Sequence, residues 1–321
     1  MGNLRQLTDS QQVGLLFVMV FGVLILASLA AFWRSLREMT PEQAARYGRF
    51  SRDLRAVWIG AVLFWVSWSL GAVVATVLFA VVSFLALREF ITLTHTRRGD
   101  HRALLAAFFV VLPTQYVLAG GRAFNLFSVF IPVYAFAVLP ILSALGNDAT
   151  RFLERTAKIQ WGTMVCVYGM SHAPALLLLS FKGYEQRGAF LVLYIVLVVA
   201  VSQITQEAAS RRLRRRPVAR HISRSFSWRT WLLGAAAGGI VGGLLYWITP
   251  FKPAQSILIG LIAAGCGTLG DLVMKALKRD AGVESWGRGS VTGAVGLLDR
   301  VAPLCFAAPV FFHSVRWYFG A

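Results

Sequence analysis

"VWIGAVLFWVSWSLGAVVATVLFAVVSFLALREF", Val57 to Phe90, contains no charged residue before Arg88. A bilayer core about 30 Å thick takes about 20 helical residues, so this run is too long for one crossing and slightly short for two full ones. Ser69-Leu70-Gly71 is the candidate turn between two helices. The choice between one crossing and two decides the topology of the whole chain, because every loop after it changes side with that count.

The composition around this run sets the class. The chain has 321 residues, 57% hydrophobic and 14% charged, with a mean hydropathy of +0.64. That is too apolar for a soluble domain of this length and predicts an integral membrane protein. The net charge of +18 and the pI near 11 occur as short basic clusters between apolar runs. Such clusters point to membrane topology, anionic lipid and phosphorylated substrates, and not to nucleic acid. Val13 to Trp33 leads into an Arg cluster without a small-residue cleavage site and is read as a retained helix, not a signal peptide. Cys166, Cys266 and Cys305 stand singly within predicted helices and read as packing residues.

Working outward, spans are expected near 13–33, 57–70, 72–90, 103–120, 125–145, 161–181, 188–207, 229–248, 255–277 and 301–319. The fold class is therefore all-α, a polytopic membrane protein of about ten transmembrane helices. The loops 34–56, 97–102, 146–160, 208–229 and 278–300 are basic, and those around Arg122, Lys182 to Arg187 and Lys252 are short and poor in charge. With two helices in 57–90 all the basic loops fall on one side, the cytoplasmic one, and both termini on the other. Thr40-Pro41-Glu42-Gln43 is a helix start, and a short amphipathic helix against the headgroups is expected to follow it. Gly234, Gly238, Gly239, Gly242 and Gly243 give one helix a small face suited to close packing, and such faces also suit a homodimer.

Ionisable groups at membrane depth are costly and usually functional. In "GDLVMKALKRD", Gly270 to Asp280, the residues Asp271, Lys275 and Lys278 lie at i, i+4 and i+7 on one helix face, with Arg279 beside them. A carboxylate there can hold a divalent cation while ammonium and guanidinium groups hold phosphate oxygens. Gly282, Gly287, Gly289, Gly293 and Gly296 follow as a loop whose amides can approach a polyphosphate, and Asp299-Arg300 precedes the last span. Two acids flanking a Gly-rich loop among fixed cations suit Mg²⁺-nucleotide chemistry. The plain alternative is an internal Asp271–Lys275 ion pair with interfacial snorkelling. The loop "ASRRLRRRPVARHISRSFSW" is read either as a topology anchor that holds anionic lipid or as a phosphate-binding segment. Ser171 and His172, beside Pro174, form a second place of interest, with a hydrogen-bonded packing role as the simpler reading.

At Gly270-Asp271, Lys278-Arg279 and Leu298-Asp299-Arg300 the chain resembles the phosphatidate cytidylyltransferases, the CDP-diacylglycerol synthases. That family ends in S-x-x-K-R-x-x-x-x-K-D, a loop with H-G-G, and D-R-x-D. The specific motifs cover roughly the last hundred residues; "LALREF", Leu85 to Phe90, and the multi-helix layout carry the resemblance further back. The departures are defined: Lys275 stands at the family Ser, Glu284-Ser285 at the Lys-Asp pair, Gly293 to Gly296 at H-G-G, Ala302 at the last Asp and Gln203 at an upstream Asp. "SRSFSWRT" keeps Ser223 and Trp228 of the family's S-P-x-K-T-W-E-G, with Arg224 and Arg229 among the replacements.

The resemblance implies a C-terminal cytidylyltransferase-like region, 161–321, following a transmembrane region, 1–160. It implies an enzyme of the inner membrane with its site facing the cytoplasm, in which the phosphate of phosphatidate attacks the α-phosphorus of CTP to give CDP-diacylglycerol and pyrophosphate. The roles that follow are metal binding for Asp271 and Asp299, electrostatic catalysis for Lys275, Lys278, Arg279 and Arg300, and substrate-phosphate binding for Ser223, Arg224, Arg229, Gly287 and Gly289. The family site is understood to use two cations; with Ala302 in place of an acid, Lys275 is expected to stand in for one, leaving a single Mg²⁺. A diverged member with altered or no transferase activity, and a lipid transporter, are the alternative functions.

Overall fold

A computed structural model describes residues 7–94, 96–181, 183–185, 187–213, 217–223, 225–283 and 296–320. Among the described residues all regular structure is helical. The long helices are α1 (Asp9–Ser35), α2 (Pro41–Leu70), α3 (Ala72–Thr92), α4 (Arg98–Gly120) and α5 (Phe124–Ala144). They continue with α6, which runs from Phe152 to Leu178, then α7 (Gly188–Leu213), α8 (Trp228–Leu244), α9 (Pro253–Asp280) and α10 (Leu297–Phe319). Seven of these, α1 to α5 with α7 and α9, are long and apolar enough to cross a membrane. The protein is an all-α polytopic membrane protein. The three other expected spans overlap α6, α8 and α10, which are not among the seven helices long and apolar enough to cross. Of these α8 has 17 residues, about 25 Å of helix, before a 3₁₀ turn at Tyr246–Ile248.

The opening run is two helices. α2 stops at Leu70, Gly71 takes φ +93°, and α3 begins at Ala72. A residue with a Cβ adopts that backbone only at a cost, so the turn depends on glycine. Thr40 caps α2 by accepting from the Gln43 amide. The expected separate amphipathic helix is corrected: residues 41–70 form one continuous helix. Gly48 is the one Gly or Pro between Glu42 and Ile59, and a lone glycine costs only about 1 kcal/mol within a helix.

Three of the helices carry π-helical segments, at Ala107–Val111, Phe130–Ala135 and Thr163–Gly169. Each contains or shortly precedes a proline, Pro113, Pro132 or Pro174. A proline inside a helix lacks the amide donor and crowds the carbonyl one turn back, and local widening relieves both.

The chain divides into two compact units, Met1–Ala75 and Thr76–Ala321. In the first, Trp58 Nε1 donates to Ser28 Oγ at 2.9 Å and joins α1 to α2. In the second, α9 packs between α8 and α10, with α7 against all three. The glycine face of α8 is consumed here. A Cβ on Gly238 would lie 2.4 Å from that of Ala264, and one on Gly242 would lie 2.7 Å from the Ser256 carbonyl oxygen. Ser256 Oγ donates to the Gly242 carbonyl at 2.7 Å, and Tyr194 of α7 donates to the Ser256 carbonyl at 2.5 Å. These glycines bring α7, α8 and α9 to backbone contact within one chain, as a small-residue face does in a membrane.

Candidate functional site

On α9 the residues Gly267, Gly270, Asp271, Met274 and Lys278 share the side that meets α10, with Lys275 at its edge. A Cβ on Gly270 would lie 2.2 Å from the Phe306 ring, so the two helices are as close as glycine allows. The proximity joins an acid of α10 to a lysine of α9, and a second acid–lysine pair lies within α9. Lys275 Nζ lies 2.6 Å from Asp271 Oδ2 within α9, and Lys278 Nζ donates to Asp299 Oδ1 across to the first turn of α10. All four side chains are partly buried. Arg279 and Arg300 are exposed at the same end of the two helices.

The start of α10 is held by a residue that sequence reasoning passed over. Glu89 of α3 is buried, and its two carboxylate oxygens accept from the amides of Gly296 and Leu298, each at 2.6 Å. Gly296, at φ +74°, is the residue before the helix and offers no side-chain cap, so Glu89 caps α10 from a different helix. A carboxylate suits this place because it satisfies orphan amides and complements the positive end of the helix dipole. The available signal was an acid inside a predicted membrane span.

The same end of the second unit has a buried ionic joint. Arg155 of α6 lies with Nε 3.3 Å from Asp100 Oδ2, and it donates to the Asp148 carboxylate at 2.6 Å and the Asp148 carbonyl at 2.7 Å. Asp100 and Arg155 are almost completely buried. The Asp148 carboxyl is held well below its usual range, first by the Thr150 amide and then by Arg155. Beside this joint, Glu154 bonds Arg151 at 2.5 Å and Lys158 at 2.6 Å, and the Lys158 and Arg151 cations hold its carboxyl below the usual carboxylate range.

The remaining expected residues divide clearly. Ser223 is buried and shares a hydrogen bond with Ser225, while Arg229 is exposed in the first turn of α8. Arg224, Gly287 and Gly289 lie outside the described residues. Ala302 is buried in an apolar cluster with Met274, Leu298 and Cys305. Ser171 and His172 are also buried: Gln115 donates to Ser171 Oγ at 3.2 Å, and the His172 ring bridges the Tyr168 carbonyl and His313. That is a buried hydrogen-bonded network between α4, α6 and α10, in keeping with the packing role, with Gln115 Oε1 left without a partner among the described residues.

Asp271 and Asp299, on adjoining helices, are hard-oxygen groups of the kind that hold a divalent cation together with phosphate oxygens and water, and each is paired with a lysine in this structure. Among the described residues no three His, Cys, Asp or Glu side chains converge on one point, so they offer no all-protein metal cage. The chemistry this arrangement supports is charge neutralisation of a polyphosphate at a membrane surface.

Residues 50–318, which include every one of these groups, match the family described as the Cytidylyltransferase family. The chain belongs to this family. It is thus a membrane protein of a nucleotidyltransferase family. It is 34% identical over 304 residues to the uncharacterized protein YnbB of Escherichia coli (strain K12), covering 93% of this chain and 96% of the relative. It is also 35% identical over 86 residues to a phosphatidate cytidylyltransferase of Synechocystis sp., covering 26% of this chain and 29% of that protein.

Proposed function

We propose that this family member transfers the cytidylyl group of CTP to a lipid phosphate, phosphatidate in the first instance, at the cytoplasmic face of the inner membrane. The observation that carries the reading is the pair of carboxylate–ammonium contacts, Asp271–Lys275 and Asp299–Lys278, on two helices in glycine-mediated contact. Family membership supports the use of CTP, and the basic loops gathered on one side support the orientation.

In the proposed reaction an oxygen of the lipid phosphate attacks the α-phosphorus of CTP. The bond from that phosphorus to the bridging oxygen breaks, and pyrophosphate leaves. The lipid phosphate is already anionic at neutral pH and needs no general base. Lys278, Arg279 and Arg300 hold phosphate oxygens, and positioning with charge stabilisation supplies the catalysis. Asp271 and Asp299 are the residues that would hold Mg²⁺, whose chemistry when bound is to neutralise charge on the phosphate oxygens. Ser223, Arg224, Arg229, Gly287 and Gly289 are proposed to contact substrate phosphate. A homodimer gains no argument from the glycine face of α8, which is occupied within the chain.

The test is CTP-dependent formation of CDP-diacylglycerol by purified protein with Mg²⁺ and phosphatidate. Activity is expected in the wild type and lost in Asp271→Asn and Asp299→Asn; activity retained in both variants removes the site assignment. A second reading, a diverged member acting on another lipid phosphate or only binding one, is favoured by Lys275 occupying Asp271 and by the apolar surroundings of Ala302. Phosphatidate binding without turnover separates it from the first. Lys275 is proposed to replace one family cation, and wild-type nucleotide binding and turnover in Lys275→Ala disproves that role.

A further inference from the structure

A cavity of about 240 Å³ opens between the last turn of α3, the first two turns of α6 and the last turn of α9. It lies alongside the phosphate-binding cations: Leu277 and Ala281 line it, and Lys278, between them in sequence, turns to Asp299. Pockets that enclose a whole drug-sized ligand measure about 300–1,000 Å³. This one suits a single ring, with the rest of the ligand running out along α9.

Its charge excludes a second phosphate site. Arg151 and Lys158 are balanced by Glu154 between them and by Asp280 on the α9 side, so a polyanion gains nothing on entering. A neutral group carrying both donors and acceptors does gain. Arg151 meets Glu154 through Nε, which leaves the two terminal amino groups of its guanidinium fork without a bond among the described residues. Glu154 is ionised and uses one contact per oxygen, whereas a carboxylate accepts about four hydrogen bonds. Arg151 also holds a left-handed backbone, φ 49° and ψ 36°, at the cap of α6. Non-glycine residues persist there only when their surroundings enforce it, and such residues cluster at ligand sites. The wall therefore presents donors beside an acceptor. Cytosine presents the complement, with ring N3 and O2 as acceptors beside the exocyclic amine as donor, and carboxylates are known partners of that amine.

We infer that this cavity is the nucleobase pocket of the proposed cytidylyltransferase, with Glu154 accepting from the exocyclic amine of cytosine and Arg151 donating to the ring acceptors. The inference rests on the proposed use of CTP. Its consequence is that Glu154 sets the choice of CTP over UTP, because uracil has a carbonyl where cytosine has the amine.

The experiment measures equilibrium binding of CTP, UTP and inorganic triphosphate to the purified full-length protein. Wild type is expected to prefer CTP. Glu154→Gln, whose carboxamide can donate to the uracil carbonyl, is expected to lower the CTP:UTP ratio by about tenfold or more with triphosphate affinity unchanged. An unchanged ratio overturns the pocket and leaves the transferase reading intact. Wild type that binds neither nucleotide overturns both. If Glu154→Gln does not fold, Ala281→Phe decides, since the ring fills the cavity: CTP affinity is expected to fall about tenfold or more with triphosphate binding retained, and unaltered CTP affinity refutes the assignment.

Discussion

Glu89→Ala is the most informative single substitution outside the charged cluster. It removes two hydrogen bonds of 2.6 Å between a buried carboxylate and the Gly296 and Leu298 amides. Hydrogen bonds to a charged group contribute about 1.5–3 kcal/mol each, so the pair is worth roughly 3–6 kcal/mol before relaxation. Asp299, one turn along, is partly exposed, and water reaching that turn can re-satisfy some of the loss. The expected cost is about 2–4 kcal/mol. Glu89→Gln keeps one acceptor oxygen and turns a donor toward an amide, so it should fall between wild type and Ala. Glu89→Asp is one methylene shorter and should not span both amides. The assay is the unfolding midpoint of purified protein in mixed micelles, read beside CTP-dependent turnover, because loosening the start of α10 displaces Asp299 from Lys278. If Glu89→Ala unfolds within about 0.5 kcal/mol of wild type, an ordinary surface-substitution effect, then Glu89 does not hold the helix and the reasoning fails.

Three other outcomes are expected. Arg155→Met leaves the fully buried Asp100 without its cation and should cost about 3–5 kcal/mol in the same unfolding assay, much of it recovered when Asp100 and Asp148 are also changed to Asn. The Asp148 carboxyl is depressed in the folded state, so its stabilisation is complete above the ordinary value near 3.9 and disappears as pH falls through the lower folded value. Asp148→Asn should thus be less stable than wild type at neutral pH, with the two unfolding midpoints converging in acid. Gly270→Ala places a Cβ 2.2 Å from the Phe306 ring and 2.4 Å from Phe306 Cβ, so trimming the ring cannot relieve it. It should cost about 1–3 kcal/mol and reduce turnover by parting α9 from α10, whereas Gly60→Ala, which meets nothing within 4 Å, should do neither.

The helices were legible because hydropathy length and loop charge are local properties of the chain. Gly71 marked the turn between α2 and α3, and the spans near 188–207 and 255–277 fall within α7 and α9. Residues 41–70 run on as one helix where a short amphipathic one is expected, because a change from amphipathic to apolar composition does not end a helix and Gly48 is the one Gly or Pro between Glu42 and Ile59. The site divides along the same line. The Asp271–Lys275 contact follows from i, i+4 spacing and was legible. Lys278–Asp299 depends on the close approach of α9 and α10 at Gly270, and Glu89 bonds an amide 207 residues away. Asp100 and Asp148 were invisible as partners of Arg155, because loop charges were weighed only for topology.

Charge links two of the departures from the family pattern. Ala302 removes one carboxylate of that pattern, and Lys275 adds one ammonium to it. Together these make the protein's own contribution more positive by two charges, the amount by which one divalent cation fewer makes it more negative. The structure adds a reason why neither position is easily reverted alone. Ala302 is buried in the apolar cluster that includes Met274, Leu298 and Cys305, where an ionised carboxylate would be desolvated, and Lys275 lies against Asp271. Restoring the acid alone would place a charge in an apolar cluster while the ammonium still competed for Asp271. The two positions are therefore expected to behave as a coupled pair, which makes the response of nucleotide binding to Lys275→Ala the measurement on which the one-cation proposal depends.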